Sequence, residues 1–357
     1  MLTFMNWLRP IWPMSLTPLL PLLVQLAGCA SPAYYAQAIS GHLRLMRSQV
    51  QITDLLNDPN TDPELADRLR QTQQIRRFAR EKLGLAVDGS YSRLAITAKE
   101  AVTWNVVAAA EFSVQPRMWC FPVAGCVAYR GYFDQRRAQQ FAHKLETKSF
   151  DVMIIPAIAY STLGWFEDPL LDTMLRYSNA TLAGIMFHEL AHEKLYIRGD
   201  TRFNESFANF VETTGVHRWL AAADRAADIE QWEEKRRAAV QFNRLLQETR
   251  EELQAVYSSG QGVESKRLEK RRIFDALRTQ YQALVAQEWK GVDYFADWMA
   301  GDLNNAHLAL MDSYEGGICA FAALYEEAGR NLERFFALAA EKGALDGKLR
   351  RAWLRAC

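Results

Sequence analysis

The stretch FHELAHEKLYIRGDTRFNESFANFVE, residues 187 to 212, carries two histidines four apart with a glutamate beside the first, then two more glutamates, Glu205 and Glu212. Residues i and i+4 of a helix share one face, so the imidazoles of His188 and His192 can reach one ion. Glu189, next to His188, stands at the side of such a site, where it can take a proton from a water that the ion activates. Two nitrogen ligands of this kind suit zinc, which lowers the pKa of its water to about 7. The segment LAGIMF before the motif makes the helix apolar, and two histidines and a glutamate are costly to bury there unless they bind something. Arg198-Gly199-Asp200 breaks the stretch into two helices, with Gly199 as an exit and Asp200 as a new N-cap.

A catalytic zinc usually has three protein ligands and one open position. His217 lies downstream, within TTGVHRWL, with no supporting pattern. A metzincin would need Gly and His at fixed offsets after His192, and Leu195 and Arg198 stand there instead. An acidic ligand from the next helix remains. Glu205 and Glu212 share a helix face but are separated by about 10 Å of rise, so one ion cannot take both. Spacing alone leaves the choice open. If the first helix ends near Leu195 and the second starts near Thr201, Glu205 returns to the level of His192. If the first helix runs on to Gly199, Glu205 falls short.

Outward from this stretch, residues 29–100 read as helical, as in YYAQAISGHLRLMRSQVQITDLLND and DPNTDPELADRLRQTQQIRRFAREKLG, which opens on Asp-Pro turns and ends at Gly84. Residues 101–221 hold the core. TWNVVAA, EFSVQPRMWCF and GCVAYRGYF are rich in Val, Tyr, Phe and Trp and read as short strands. DQRRAQQFAHKLETKSF reads as an amphipathic helix, and DVMIIPAIAY as another strand. Residues 222–290 turn strongly charged and form a long helical hairpin bent at Gly260 and Gly262. Its charges read as a solvated face, with a protein partner as the second reading. Residues 291–357 are helical again. The fold class is α+β: a predominantly helical zincin-like domain with a small β-sheet and a long hairpin.

The chain's 357 residues carry 42 Lys+Arg against 42 Asp+Glu, so no bulk charge draws it to nucleic acid. Its first 28 residues depart from this pattern. Arg9 precedes an apolar run that ends in Leu26-Ala27-Gly28-Cys29, the pattern of a signal peptide, and four prolines in that run oppose a spanning helix. LAGC resembles a bacterial lipobox, in which Cys29 would be lipidated and become the mature N-terminus. Ala30 in place of Asp implies the outer membrane, with the protein facing the periplasm. In an oxidising compartment the remaining four cysteines can pair. Cys120 and Cys126 bracket a Pro-Gly turn and predict a local disulfide. Cys319 and Cys357 carry no local signal.

NESFANFVE resembles the second zinc segment of the gluzincins, particularly the one-zinc aminopeptidases. YYAQAISGHL, PRMWCFPVAGCVAYRGYF, AYSTLGWFEDP, FHELAHEKLYIRGDTRFNESFA and LNNAHL are together similar to a bacterial family of predicted aminopeptidases that carries a lipoprotein signal. The resemblance implies Glu205 as the third zinc ligand, with Asn204 as its supporting neighbour and Glu212 as an outer residue. It also departs from the pattern: twelve residues separate His192 from Glu205, whereas the usual spacer is longer and would reach Glu212, from which nineteen residues separate it. Asn209, one turn after Glu205, is a candidate to orient an imidazole. Tyr314, in LALMDSYEGG, is the candidate donor to the oxyanion, with His307 as a competitor. AYSTLGWFEDP reads as an edge segment for substrate backbone, and Glu167 or Asp168 as a partner for a free amino terminus. The expectation is a zinc peptidase on peptide substrates, an aminopeptidase in the narrower reading. Its rivals are an endopeptidase and a non-catalytic scaffold lipoprotein with a structural metal.

Overall fold

The computed structural model describes residues 32–121, 125–159, 167–223, 226–310 and 317–355. Cys29, Tyr314, Cys357 and most of AYSTLGWFEDP lie outside the described residues. The elements run α1 (Pro32–Arg47), β1 (Gln49–Gln51), α2 (Ile52–Asn57), α3 (Pro63–Leu83), β2 (Arg93–Ala95), β3 (Thr103–Ala110), β4 (Trp119–Phe121), β5 (Gly125–Val127) and β6 (Arg130–Tyr132). Then follow α4 (Gln135–Glu146), β7 (Phe150–Ala157), β8 (Leu170–Leu171), α5 (Asn179–Lys194), α6 (Thr201–Ala222), α7 (Ala226–Ser258) and α8 (Val263–Ala283). Short α9 (Ala296–Met299) and α10 (Asn305–Leu308) lead to α11 (Ile318–Glu327), α12 (Leu332–Gly343) and α13 (Gly347–Leu354). The fold is α+β and predominantly helical. Among the described residues no helix is long and apolar enough to cross a membrane.

The strands fall into three small sheets rather than one: β1-β2-β8, β6-β3-β7 and the hairpin β4-β5. β3 is the central strand of the second, antiparallel to both neighbours, with Val106 opposite Ile154 and Arg130. Its side chains alternate between two covered faces, as the two-residue period of a strand requires. Trp104, Val106 and Ala108 pack on Ala138, Ala142 and Leu145 of α4, while Val107 and Ala109 pack on Ala306 and Ala309 at α10. Of EFSVQPRMWCF, only Trp119–Phe121 forms a strand. The rest turns, because the Ser113 hydroxyl accepts from the Gln115 N–H at 3.1 Å and Pro116 has no N–H for a ladder. Cys120 and Cys126, opposite each other on β4 and β5, form a disulfide. Cys319 is also disulfide-bonded.

The largest core lies among α3, α5, α6, α11 and α12, where Leu83, Phe187, Phe207, Phe321 and Phe335 are essentially inaccessible. Helix ends are set locally. The Asp62 carboxylate accepts from the Leu65 N–H at 2.9 Å, Pro63 occupies the first turn of α3, and Gly84, at φ 66°, ends it. The hairpin α7–α8 bends between Ser258 and Val263, as its glycines predict. It has its own apolar seam of Phe242, Leu246, Leu253, Ile273 and Leu277. Two of its cations are paired across the fold: Arg267 with Glu111 at 2.6 Å, and Lys270 with Asp151, which ties the hairpin to the end of the β3–β7 pair.

Candidate metal centre

α5 starts where the Ser178 hydroxyl accepts from the Thr181 N–H, and it stops at Leu195, whose backbone is extended. α6 starts at Asp200, whose carboxylate accepts from the Phe203 N–H at 3.1 Å. The link between them is short, and Asn204 holds it. Its Oδ1 accepts from the Ile197 N–H at 2.7 Å and its Nδ2 donates to the Ile197 carbonyl at 2.9 Å. Asn204 therefore shapes the turn that returns α6 along α5 and does not touch an imidazole. Gly184 and Gly215 allow the close approach of the two helices. A Cβ on Gly215 would stand 2.8 Å from the Phe187 ring, and one on Gly184 3.2 Å from a Glu212 oxygen.

With the first helix ending early, Glu205 comes level with His192. Its oxygens lie 3.5 Å from His188 Nε2 and 3.7 Å from His192 Nε2. The two Nε2 atoms are themselves 3.2 Å apart. His188, His192 and Glu205 thus form a group that could hold a metal ion, with one donor atom from each within 4.8 Å of the others. Glu212, about two turns further along α6, meets the opposite nitrogen: His188 Nδ1 lies 3.1 Å from its Oε2. Two nitrogens and a carboxylate oxygen converging on one point are a donor set that zinc accepts. The Asn209 side chain makes no hydrogen bond to either imidazole among the described residues, and His192 Nδ1 is buried there without a partner.

The electrostatics show how strongly the three groups are coupled. Burial alone would depress the His188 imidazole, but the carboxylates of Glu205 and Glu212 outweigh it and push its pKa up to about 10. Burial and the neighbouring His188 charge push His192 down to about 4. Glu205 is desolvated, yet the two imidazoles hold it below the usual carboxylate range. Negative charge from Glu205 and Glu212 thus gathers around the two imidazoles, where a cation would be favoured.

Around this point lie residues that the sequence did not single out. Glu193, a turn after Glu189, accepts from the Ser90 hydroxyl at 2.8 Å; burial, with Asp168 and Glu189 nearby, pushes it up to about 7. Tyr91 is buried beside the same carboxylates. Tyr196 sets its ring edge-on to His192, centroids 6.3 Å apart. The contact of the Ser90–Tyr91 loop with α5 had no motif to mark it, since a contact across about a hundred residues leaves no local pattern. Asp168 is 1 % exposed, so its carboxylate is enclosed, whereas Glu167 is open and lies 3.9 Å from Arg93. His307 caps α10 and packs against Trp298, and His217 pairs with Glu233 at 3.3 Å.

A family model described as "Putative aminopeptidase" matches residues 33–354. The chain belongs to that family. The matched residues span nearly all the described elements. A search of curated proteins and a search of solved structures each returned no match.

Proposed function

We propose that this protein is a zinc-dependent aminopeptidase of the gluzincin type, lipid-anchored through Cys29 to the outer membrane and facing the periplasm. The observation that carries the reading is the convergence of His188, His192 and Glu205 beside Glu189. Family membership supports a peptidase. His188 and His192 through Nε2, and Glu205 through its carboxylate, would hold the ion. Zinc bound there would polarise the scissile carbonyl and acidify a water. Glu189, half-buried and next to His188, takes the proton from the attacking water and returns it to the leaving amine. Glu212 fixes the His188 ring by accepting from Nδ1, so that Nε2 keeps its lone pair for the ion.

The test is hydrolysis by purified protein, with its metal counted, of peptides with free and with acetylated N-termini. Cleavage of the free set alone is expected. Cleavage of both sets would make the enzyme an endopeptidase, and zinc binding with no cleavage would support the scaffold.

A further inference from the structure

Helix α1 has two unlike faces. Its inner face is fixed to the fold. The Arg130 guanidinium lies 4.0 Å from the Tyr34 ring. Buried Gln37 ties α1 to β6: its Nε2 donates to the Gly131 carbonyl at 3.3 Å, and its Oε1 accepts from the Phe133 N–H at 3.2 Å. Gly41 lets Phe133 approach, since a Cβ there would stand 2.2 Å from the ring. Leu45 continues the row into the largest core.

Ala36, Ile39 and Leu43, at i, i+3 and i+7, lie on the side away from that row and face water. Ile39 is 59 % exposed and Leu43 44 %. Arg44 and Arg47, also exposed, stand beside this strip at the C-terminal end, and α1 contains no Asp or Glu. Scattered apolar side chains on a surface are ordinary, but this strip runs along one rigid helix and ends on cations. Its place in the chain supplies the occupant. Only Ala30 and Ser31 separate Cys29 from Pro32, so the start of α1 lies within about 11 Å of Cys29. Half-buried Tyr35 and Phe121 meet there edge-on, centroids 6.5 Å apart, and tyrosine favours the boundary between headgroups and acyl chains.

We propose that the Ala36–Ile39–Leu43 face of α1 rests on the anionic phospholipid surface to which Cys29 is tethered, with Arg44 and Arg47 against the headgroup phosphates. The inference rests on the lipid-anchor reading. Two aliphatic side chains bind a bilayer less well than an acyl chain does, so the face orients a tethered protein and does not retain a free one. The orientation carries inward. Leu45 shares its core with Leu190 and Ala191 of α5, so the metal centre is turned toward or away from the bilayer as one body with α1.

The test uses the mature chain from cells, purified in detergent and reconstituted into vesicles of phosphatidylethanolamine and phosphatidylglycerol. A bimane label at Ala36→Cys reports contact through quenching by brominated acyl chains. The label should be quenched in the tethered protein. Replacing Ile39→Ser with Leu43→Ser should lower the ratio of docked to undocked protein by about tenfold or more. Replacing Arg44→Gln with Arg47→Gln should lower it by about fivefold for each arginine, and only where phosphatidylglycerol is present. All four side chains are exposed, so both variants should melt with the wild type. No quenching at Ala36, quenching that neither pair of replacements lowers, or equal quenching of a label at Val263→Cys on the hairpin tip would overturn the proposal. Mass spectrometry of Cys29 tests the anchor separately. If Cys29 carries no acyl chain, the anchor reading falls and the face is judged by sedimentation of the unacylated chain with the same vesicles. Binding lost on replacing Ile39 and Leu43 would then support the face, and no binding would overturn it.

Discussion

His188 is held from both sides of its ring: Nδ1 lies 3.1 Å from Glu212 and Nε2 3.5 Å from Glu205. One imidazole thus gives the two glutamates different work. Replacing Glu205 with Gln removes a charged ligand and should lower zinc affinity by more than about 1,000-fold. Replacing Glu212 with Gln loosens the ring and should lose about 10- to 100-fold. Zinc titration against a competing chelator reads both. A larger loss for Glu212 would mean that the ligand assignment is reversed.

Zinc binding should be strongly pH-dependent. His188 in the metal-free protein has its pKa raised from 6.5 to about 10, so the ion must displace its proton. Across that window, apparent zinc affinity should rise about tenfold per pH unit. Metal-free stability runs the other way. The raised His188 contributes fully below 6.5 and loses its contribution as pH climbs toward about 10. His192, lowered to about 4, costs stability as pH falls below 6.5, because the unfolded chain takes up the proton first. Metal-free melting temperature should therefore peak near neutral pH. A profile that keeps rising from neutral to alkaline pH would contradict the protonated His188.

Much of the candidate metal centre was legible because it is local. The i, i+4 histidines, the Gly199–Asp200 break and NESFANFVE lie within 26 residues, and helix geometry turns that spacing into position. Choosing Glu205 over Glu212 was not settled by spacing, because it depends on where α5 stops. The structure supplies the reason: Asn204 ties the link to Ile197. The helical hairpin was legible from its charges and glycines, but its anchoring was not. Lys270 meets Asp151 across 119 residues, and no sequence pattern announces that pair. Asn209, a polar residue one turn from Glu205, suggested a partner for an imidazole; among the described residues the carboxylate that meets His188 Nδ1 is that of Glu212.

Replacing Glu189 with Gln should keep one zinc per chain and lower kcat by about 1,000-fold or more, because the base is gone and all three ligands remain. Metal analysis with a single-turnover assay checks it. Zinc loss in this variant would place Glu189 among the ligands.

Replacing Cys29 with Ser should move the protein from the membrane fraction to the soluble fraction of cells. Among the described residues no helix is long and apolar enough to cross a membrane. Retention in the membrane fraction would show that LAGC is not what holds it there.

Asp200 both caps α6 and pairs with Arg350 of α13 at 2.6 Å, in a place where both side chains are almost buried. The same guanidinium donates to the carbonyls of Gly343 and Leu345, each at 2.8 Å, which end α12. Replacing Arg350 with Met removes the guanidinium that lies 5.8 Å from the Phe203 ring centre and leaves a buried carboxylate without its cation and two carbonyls without a donor. Truncating one partner of a buried pair costs about 3–5 kcal/mol. Arg350→Met should therefore lower the thermal midpoint by several degrees. Because Asp200 starts the helix that carries Glu205, zinc affinity should fall with it. The double replacement, Asp200→Asn with Arg350→Met, should recover part of the stability, since Asn still caps a helix and carries no charge. Thermal melts of the three proteins, with zinc titrated in each, decide the matter. A double variant no more stable than Arg350→Met would show that the stranded charge is not the cause.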